Sequence, residues 1–149
     1  MEVKDIIEDV KNNMSEKRFI HSQGVMKRIE ELAKIYHIDV EKAKKVGIAH
    51  DVVKEMAIEE SLRYAKENEI LLDEIEKRVP YLLHGKIGAD YCKKHYGFDE
   101  QMQKAIEYHT TGNPNMDMLA KILYAADKTE ENRNFEQYNV EYERDLADK

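Results

Sequence analysis

A histidine followed directly by an aspartate, His50-Asp51, stands inside the apolar run Val46-Gly47-Ile48-Ala49-His50-Asp51-Val52-Val53. An ionised carboxylate in such surroundings costs several kcal/mol unless something positive neutralises it, and a neutral imidazole beside it is a ready metal ligand. One bound cation accounts for both residues. Neighbouring positions on a helix point about 100° apart, so the two side chains share an ion only if it lies between them and if other helices bring further ligands. Those ligands are histidines and carboxylates. The single Cys92 has no second cysteine for a disulfide or a zinc knuckle.

The elements that must position these residues read as helices throughout. Val3, Ile6, Ile7 and Val10 give an amphipathic helix over residues 2–13. Ser15 caps a second, over residues 16–37, whose stripe Val25, Ile29, Leu32, Ala33 and Tyr36 extends backward by one turn to His21. Asp39 caps a third that runs through Ala43, Val46 and His50 to about Met56. Charged helices follow over residues 57–68 and 71–78, the latter ended near Pro80. Residues 82–95 are helical again, with His84, Ile87, Gly88 and Tyr91 on one side and Gly97 as the stop. Asp99 caps the next helix, with Met102, Ala105, Ile106 and His109 inward, and Thr110-Thr111-Gly112-Asn113-Pro114 breaks it. Asp117 opens an apolar helix whose Leu119, Ile122, Leu123 and Ala126 carry Asp127 to the inner face, and a last helix is expected after Val140. Without strand alternation or repeats, this is an all-α single domain over residues 1–149, a helical bundle around a buried metal site.

A single histidine on an apolar stripe is more often satisfied by a backbone carbonyl than bound to a metal. Here four of the six, His21, His50, His84 and His109, fall with Asp51 and Asp127 on the inner faces of five helices. His37 and His95 lie in last turns, where the helix dipole explains them. Imidazole and carboxylate without thiolate suit iron, manganese or zinc rather than calcium. Lys54 follows His50 by four and Asp51 by three, and so projects toward the same side; Arg18 precedes His21 by one turn. In a chain this charged, Lys54, Arg18 and Arg133 compete with the plainer role of surface cations, and Thr110 to Gly112 with that of a helix cap. Exposed N–H groups in that turn equally suit a phosphate.

Composition narrows the function. The 149 residues, 37% charged and 42% hydrophobic, suffice for a core without metal or disulfide staples, which leaves a metal free for chemistry. The net charge of −7 excludes a general nucleic-acid binder. No run approaches the roughly 18 apolar residues of a membrane span, and no signal peptide is evident, so a cytoplasmic protein is expected.

His21, then His50-Asp51, then Asp127 resembles the H…HD…D signature of the HD-domain metal-dependent phosphohydrolases. Ala49-His50-Asp51 with Lys54-Glu55, Leu83-His84-Gly85 with Gly88-Ala89, His109-Thr110-Thr111-Gly112, and Tyr124-Ala125-Ala126-Asp127-Lys128 with Arg133 resemble its YqeK-type branch, the symmetrical bis(5'-nucleosyl)-tetraphosphatases. The resemblance implies that His21, His50, Asp51 and Asp127 hold the principal metal, often iron. It implies that His84 and His109 reach a second divalent metal or the substrate phosphates, with His50, Asp51, Lys54, His84 and His109 as the catalytic set. Arg18, Lys54, His84, His109, Thr110, Gly112, Asp127 and Arg133 would contact a nucleotide. The implied reaction is hydrolysis of diadenosine tetraphosphate to two ADP, the ligands being the tetraphosphate substrate and ADP or GDP as product. The alternatives are an HD-type phosphohydrolase for a monophosphate, deoxynucleoside triphosphate or guanosine tetraphosphate, and a non-catalytic nucleotide sensor. A homodimer is expected. Members of this branch continue for some tens of residues past the position of Lys149, so helices that cover the nucleotide are expected to be missing from this sequence.

Overall fold

Five side-chain caps set where the helices start. In a computed structural model, which describes residues 1–130, Ser15, Asp39, Asp73, Asp99 and Asp117 each accept the N–H three residues on, satisfying a donor that the first turn leaves unpaired. The helices are α1 (Val3–Asn12), α2 (Glu16–Tyr36), α3 (Val40–Ala49), α4 (Ile58–Glu67), α5 (Glu74–Arg78), α6 (His84–Tyr96), α7 (Glu100–Tyr108) and α8 (Met118–Thr129), with a 3-10 turn at Pro80–Leu83 before α6. No strand occurs among the described residues, and none of their helices is long and apolar enough to cross a membrane. The helix expected after Val140 lies outside the described residues, as does Arg133.

The long helix α2 is the spine. It lies against α3 and α8, while α7 bridges α6 and α8 and α1 covers α3. Ile29 and Leu32 from α2, Ile48 from α3, Ile87 from α6, Ile106 from α7 and Leu119 and Leu123 from α8 are fully buried in one core. Each such side chain contributes about 1.5–3 kcal/mol on burial. Ile6 and Val10 of α1 enter the same core, so the first helix belongs to this body. Where α2 crosses α3, Gly47 lets the backbones meet: a Cβ there would stand 3.0 Å from Met26 Cα and 2.8 Å from Ile29 Cγ2.

The caps, stripes and helix order follow the sequence reading, but four boundaries differ, the helix expected from residue 71 opening only at Glu74 behind its Asp73 cap. The third helix stops at Ala49 instead of continuing to Met56. Residues 50–56 instead follow successive tight turns, Val52 N–H to Ala49 O, Lys54 N–H to Asp51 O and Met56 N–H to Val53 O. The cause is His50, whose Nδ1–H takes the Gly47 carbonyl at 2.7 Å, the acceptor that a continuing helix would give to the Asp51 N–H. Likewise α7 ends at Tyr108 and leaves His109 as its cap, and the segment before His84 is 3-10 turn rather than α-helix.

Candidate metal centre

Three of the four inner histidines are held in the same way. His50, His84 and His109 donate Nδ1–H to the carbonyl three residues back, Gly47 O at 2.7 Å, Tyr81 O at 2.9 Å and Ile106 O at 2.5 Å. A carbonyl can only accept, so the proton of each neutral ring is on Nδ1 and the lone pair on Nε2. His21, on α2, sets its Nδ1 3.4 Å from Glu130 Oε1.

The four Nε2 atoms converge on two carboxylates. His21 Nε2 is 2.9 Å from Asp127 Oδ1 and 3.6 Å from Asp51 Oδ2, and His50 Nε2 is 3.2 Å from Asp51 Oδ2 and 3.4 Å from Asp127 Oδ1. On the other oxygen of Asp51, His109 Nε2 stands 3.2 Å and His84 Nε2 3.9 Å from Oδ1. Two groups of potential ligands result, His21, His50, Asp51 and Asp127 in one and Asp51, His84 and His109 in the other, each with its donor atoms within 4.8 Å of one another. Asp51 belongs to both.

These spacings fit a cation. Two ligands each about 2.1 Å from one ion stand roughly 3.0 Å apart at a right angle and 3.4 Å at a tetrahedral angle. The donor set fits too, because Nε2 of His50 and of His84 are buried without a hydrogen-bond partner among the described residues. The carboxylate oxygens lie near these atoms without an aligned hydrogen bond, and a lone pair facing a carboxylate is a repulsion that a metal ion removes. Two neutral imidazoles and two carboxylates in the first group carry the −2 that a divalent ion balances. Burial opposes charge on all of these groups, yet mutual attraction prevails. The charge of His50 and the bond from His109 hold Asp51 well below the usual carboxylate range, and the bond from His21 with the charge of His50 does the same for Asp127. Burial would lower the basicity of His50, but Asp51 and Asp127 raise it to about 10, so without a metal its Nε2 takes up a proton that a bound cation displaces. Burial and the neighbouring His109 push His84 down to about 4. The pocket thus attracts positive charge at its His50 end.

Cations flank the centre. Arg18 reaches Asp51 Oδ2 with Nη1 at 3.2 Å, and its buried Nε has no partner among the described residues. Lys54 Nζ lies 4.0 Å from the same oxygen and 5.7 Å from the centre of the Tyr81 ring. Thr110, Thr111 and Gly112 form the turn after His109 and line a cavity of about 150 Å³ with Asp73, Glu76 and Lys86, whose wall includes none of the four histidines. Gly112, at φ 76°, returns its own N–H to Tyr108 O, so that amide serves the end of α7 rather than an anion.

Residues 18–132 match the HD domain family. This chain belongs to the HD domain family. It is 38% identical over 127 residues to a "Bis(5'-nucleosyl)-tetraphosphatase, symmetrical" of Halalkalibacterium halodurans, covering 85% of this chain and 67% of that relative. It is 36% identical to the protein of the same description from Bacillus subtilis, covering 85% of this chain and 68% of the relative. A solved structure from Clostridium acetobutylicum, described as a "predicted HD superfamily hydrolase involved in NAD metabolism", superposes with a TM-score of 0.92 at 41% identity, covering 98% of this chain and 77% of its own. The helical HD domain with its His/Asp cluster fits a divalent metal and metal-dependent phosphohydrolase activity.

Two residues of this HD domain escaped the sequence reading. Glu130 looks like part of the polar run that follows α8, yet it is fully buried against His21. Its signal is the spacing of three from Asp127, which puts both carboxylates on one face. Glu55 looks like an ordinary surface charge, yet it accepts Ser15 N–H at 2.6 Å and Ser15 Oγ–H at 2.8 Å, tying the start of α2, and therefore Arg18, to the turn that carries Asp51. These bonds hold its carboxyl below the usual value.

Proposed function

We propose that this HD domain hydrolyses dinucleoside tetraphosphates symmetrically, converting diadenosine tetraphosphate and water to two ADP. The observation that carries the reading is the pair of buried, unpartnered Nε2 atoms of His50 and His84 on either side of Asp51, within the family of the two tetraphosphatases described above. On this reading His21, His50, Asp51 and Asp127 hold the principal metal, iron in preference to manganese or zinc. The chain is one HD domain, cytoplasmic and homodimeric.

For His84 and His109 the geometry favours a second metal over a direct phosphate contact. Each spends its Nδ1–H on a carbonyl, which leaves only an acceptor at Nε2, and a phosphate oxygen is also an acceptor. When bound, a divalent cation supplies a nucleophilic water at neutral pH and a Lewis acid for a phosphoryl oxygen. The chain's own residues do the rest. Arg18 has an unused Nε–H for phosphate, and Lys54 brings a charge within 4.0 Å of Asp51, so both neutralise negative charge on the attacked phosphoryl group. Thr110 and Arg133 complete the set that we assign to the nucleotide, with Gly112 shaping the turn.

These cations hold the two phosphates nearest one nucleoside, which brings the β-phosphorus to the metal centre. Water adds at that phosphorus, the bond to its bridging oxygen breaks, and the departing ADP takes a proton; the products are two ADP. Chromatography of a diadenosine tetraphosphate digest by iron- or manganese-loaded protein should show ADP as the only early product. AMP and ATP appearing together in equal amounts would refute the register. Turnover confined to another nucleotide would refute the substrate, and tight binding of nucleotides without any turnover would make the domain a sensor.

A further inference from the structure

Two carboxylates stand at the C-terminal end of α8, Asp127 in its last turn and Glu130 as the C-cap residue just past it. Asp127 faces the site directly. Glu130, three residues later on the same face, is fully buried and stands behind His21, its Oε1 3.4 Å from Nδ1 while the ring's Nε2 is 2.9 Å from Asp127 Oδ1. The other three histidines are held by main-chain carbonyls. His21 is the one of the four held by a charged group.

We infer that Glu130 is the positioning residue of His21. By accepting the Nδ1–H it keeps the proton off Nε2 and turns that lone pair toward Asp127 and Asp51. Its charge raises the electron density of the ring, so that His21 is a stronger ligand than an imidazole bonded to a neutral carbonyl. The i, i+3 spacing gives α8 control of the principal site twice, through Asp127 as a ligand and through Glu130 as the support of another ligand. This inference rests on the metal reading above.

The test compares wild-type protein with Glu130→Gln, which keeps size and an acceptor oxygen but removes the charge. Zinc and manganese affinities are measured by competition with a chelator, beside circular dichroism of the metal-free proteins. The expected result is affinity weaker by about 10- to 100-fold with the helical spectrum unchanged. A second measurement needs no variant: nitrogen-resolved NMR of the histidine rings in zinc-loaded wild-type protein should place the His21 proton on Nδ1. Equal affinity in the two proteins, or a His21 proton on Nε2, overturns the inference while leaving the metal reading intact. Wild-type protein that takes up no stoichiometric metal overturns both. If Glu130→Gln does not fold, the ring measurement alone decides.

Discussion

Replacing Gly47 by alanine should loosen both the fold and the site, by an amount the structure bounds. The added Cβ would stand 2.8 Å from Ile29 Cγ2, 3.0 Å from Met26 Cα and 3.3 Å from Met26 N. Carbon atoms rest at about 3.5–4.0 Å, so even if the Ile29 side chain turns away, α3 must retreat from the α2 backbone by roughly 0.5 Å. Overpacking of this kind costs about 1–3 kcal/mol, and alanine within a helix returns about 0.5–1 kcal/mol relative to glycine. The net loss is about 0–2.5 kcal/mol with a centre near 1 kcal/mol, or roughly 2–4 °C in Tm at that centre for a chain of this size. The consequence reaches the metal centre because Gly47 O is the acceptor for His50 Nδ1–H. Retreat of α3 carries His50 and Asp51 away from His21 on α2, whereas a metal tolerates errors of only about 0.2 Å in its ligand distances. Thermal unfolding in the presence of chelator and a separate metal titration measure the two effects. The natural control is Gly88→Ala, whose Cβ would come no nearer than 3.3 Å to a side-chain methyl, Cγ2 of Ile106, and meets no backbone atom inside 3.9 Å, so it should cost less. A Gly47→Ala protein that melts at or above the wild-type temperature would show that helix propensity wins, and that close approach of α2 and α3 does not position the ligands.

Asp51→Ala should abolish stoichiometric metal binding and leave a folded helical protein, since Asp51 is shared by both ligand groups; full retention in metal analysis would sink the assignment. His84→Ala and His109→Ala should each reduce turnover far more than occupancy of the principal site, and equal metal loss across all six ligand variants would mean the two groups are wrongly divided. At Asp99, which caps α7 and meets Lys42 Nζ at 2.6 Å, the lysine bond holds the carboxyl below its usual value. A depressed carboxyl contributes stability that is present above its unfolded pKa and lost as pH falls through the folded one. The stability difference between wild type and Asp99→Asn should therefore be constant near neutrality and shrink in acid, while Asp99→Ala should cost about 1 kcal/mol more through the cap; a difference that grows on acidification would reverse the sign.

The helix order was legible because each helix declares itself twice, by an apolar stripe and by a cap. Ser15, Asp39, Asp99 and Asp117 all lie one residue before the helices they open, and Gly97 ends α6 at φ 70°. Asp51 was legible as a buried charge because its neighbours Ile48 and Val52 are buried too, and Asp127 as an inner-face charge beside Leu123 and Ala126, although its side chain stays partly exposed. Boundaries at His50 and His109 were not, since periodicity places a residue on a face but does not reveal that its side chain will compete with the backbone for a carbonyl. Arg28 shows the opposite failure. The sequence reading passed over it, yet it lies on the buried stripe between Val25 and Ile29 and donates Nε–H to Thr129 Oγ1 at 3.1 Å, joining α2 to the end of α8. A charged residue within an apolar stripe could have been counted as a candidate for a buried partner.

The helix ends at His50 and His109 are what give the site its polarity. The last carbonyls of a helix have no amide donors within it, and a histidine placed just there fills one with its own Nδ1–H. That bond settles the tautomer without any other side chain, and it fixes Nε2 as an acceptor aimed away from the helix. The same bond, made by His84 to the 3-10 turn before α6, adds a third such acceptor. Three rings held in this way around one buried carboxylate form a set of acceptors with few protons to share. Had α3 continued to Met56, Gly47 O would have been taken by the Asp51 amide and the His50 ring would have kept a donor for Asp51. The site could then have satisfied itself with hydrogen bonds. By ending the helix at Ala49, the sequence removes that solution and leaves a pocket that a cation satisfies better than the protein can.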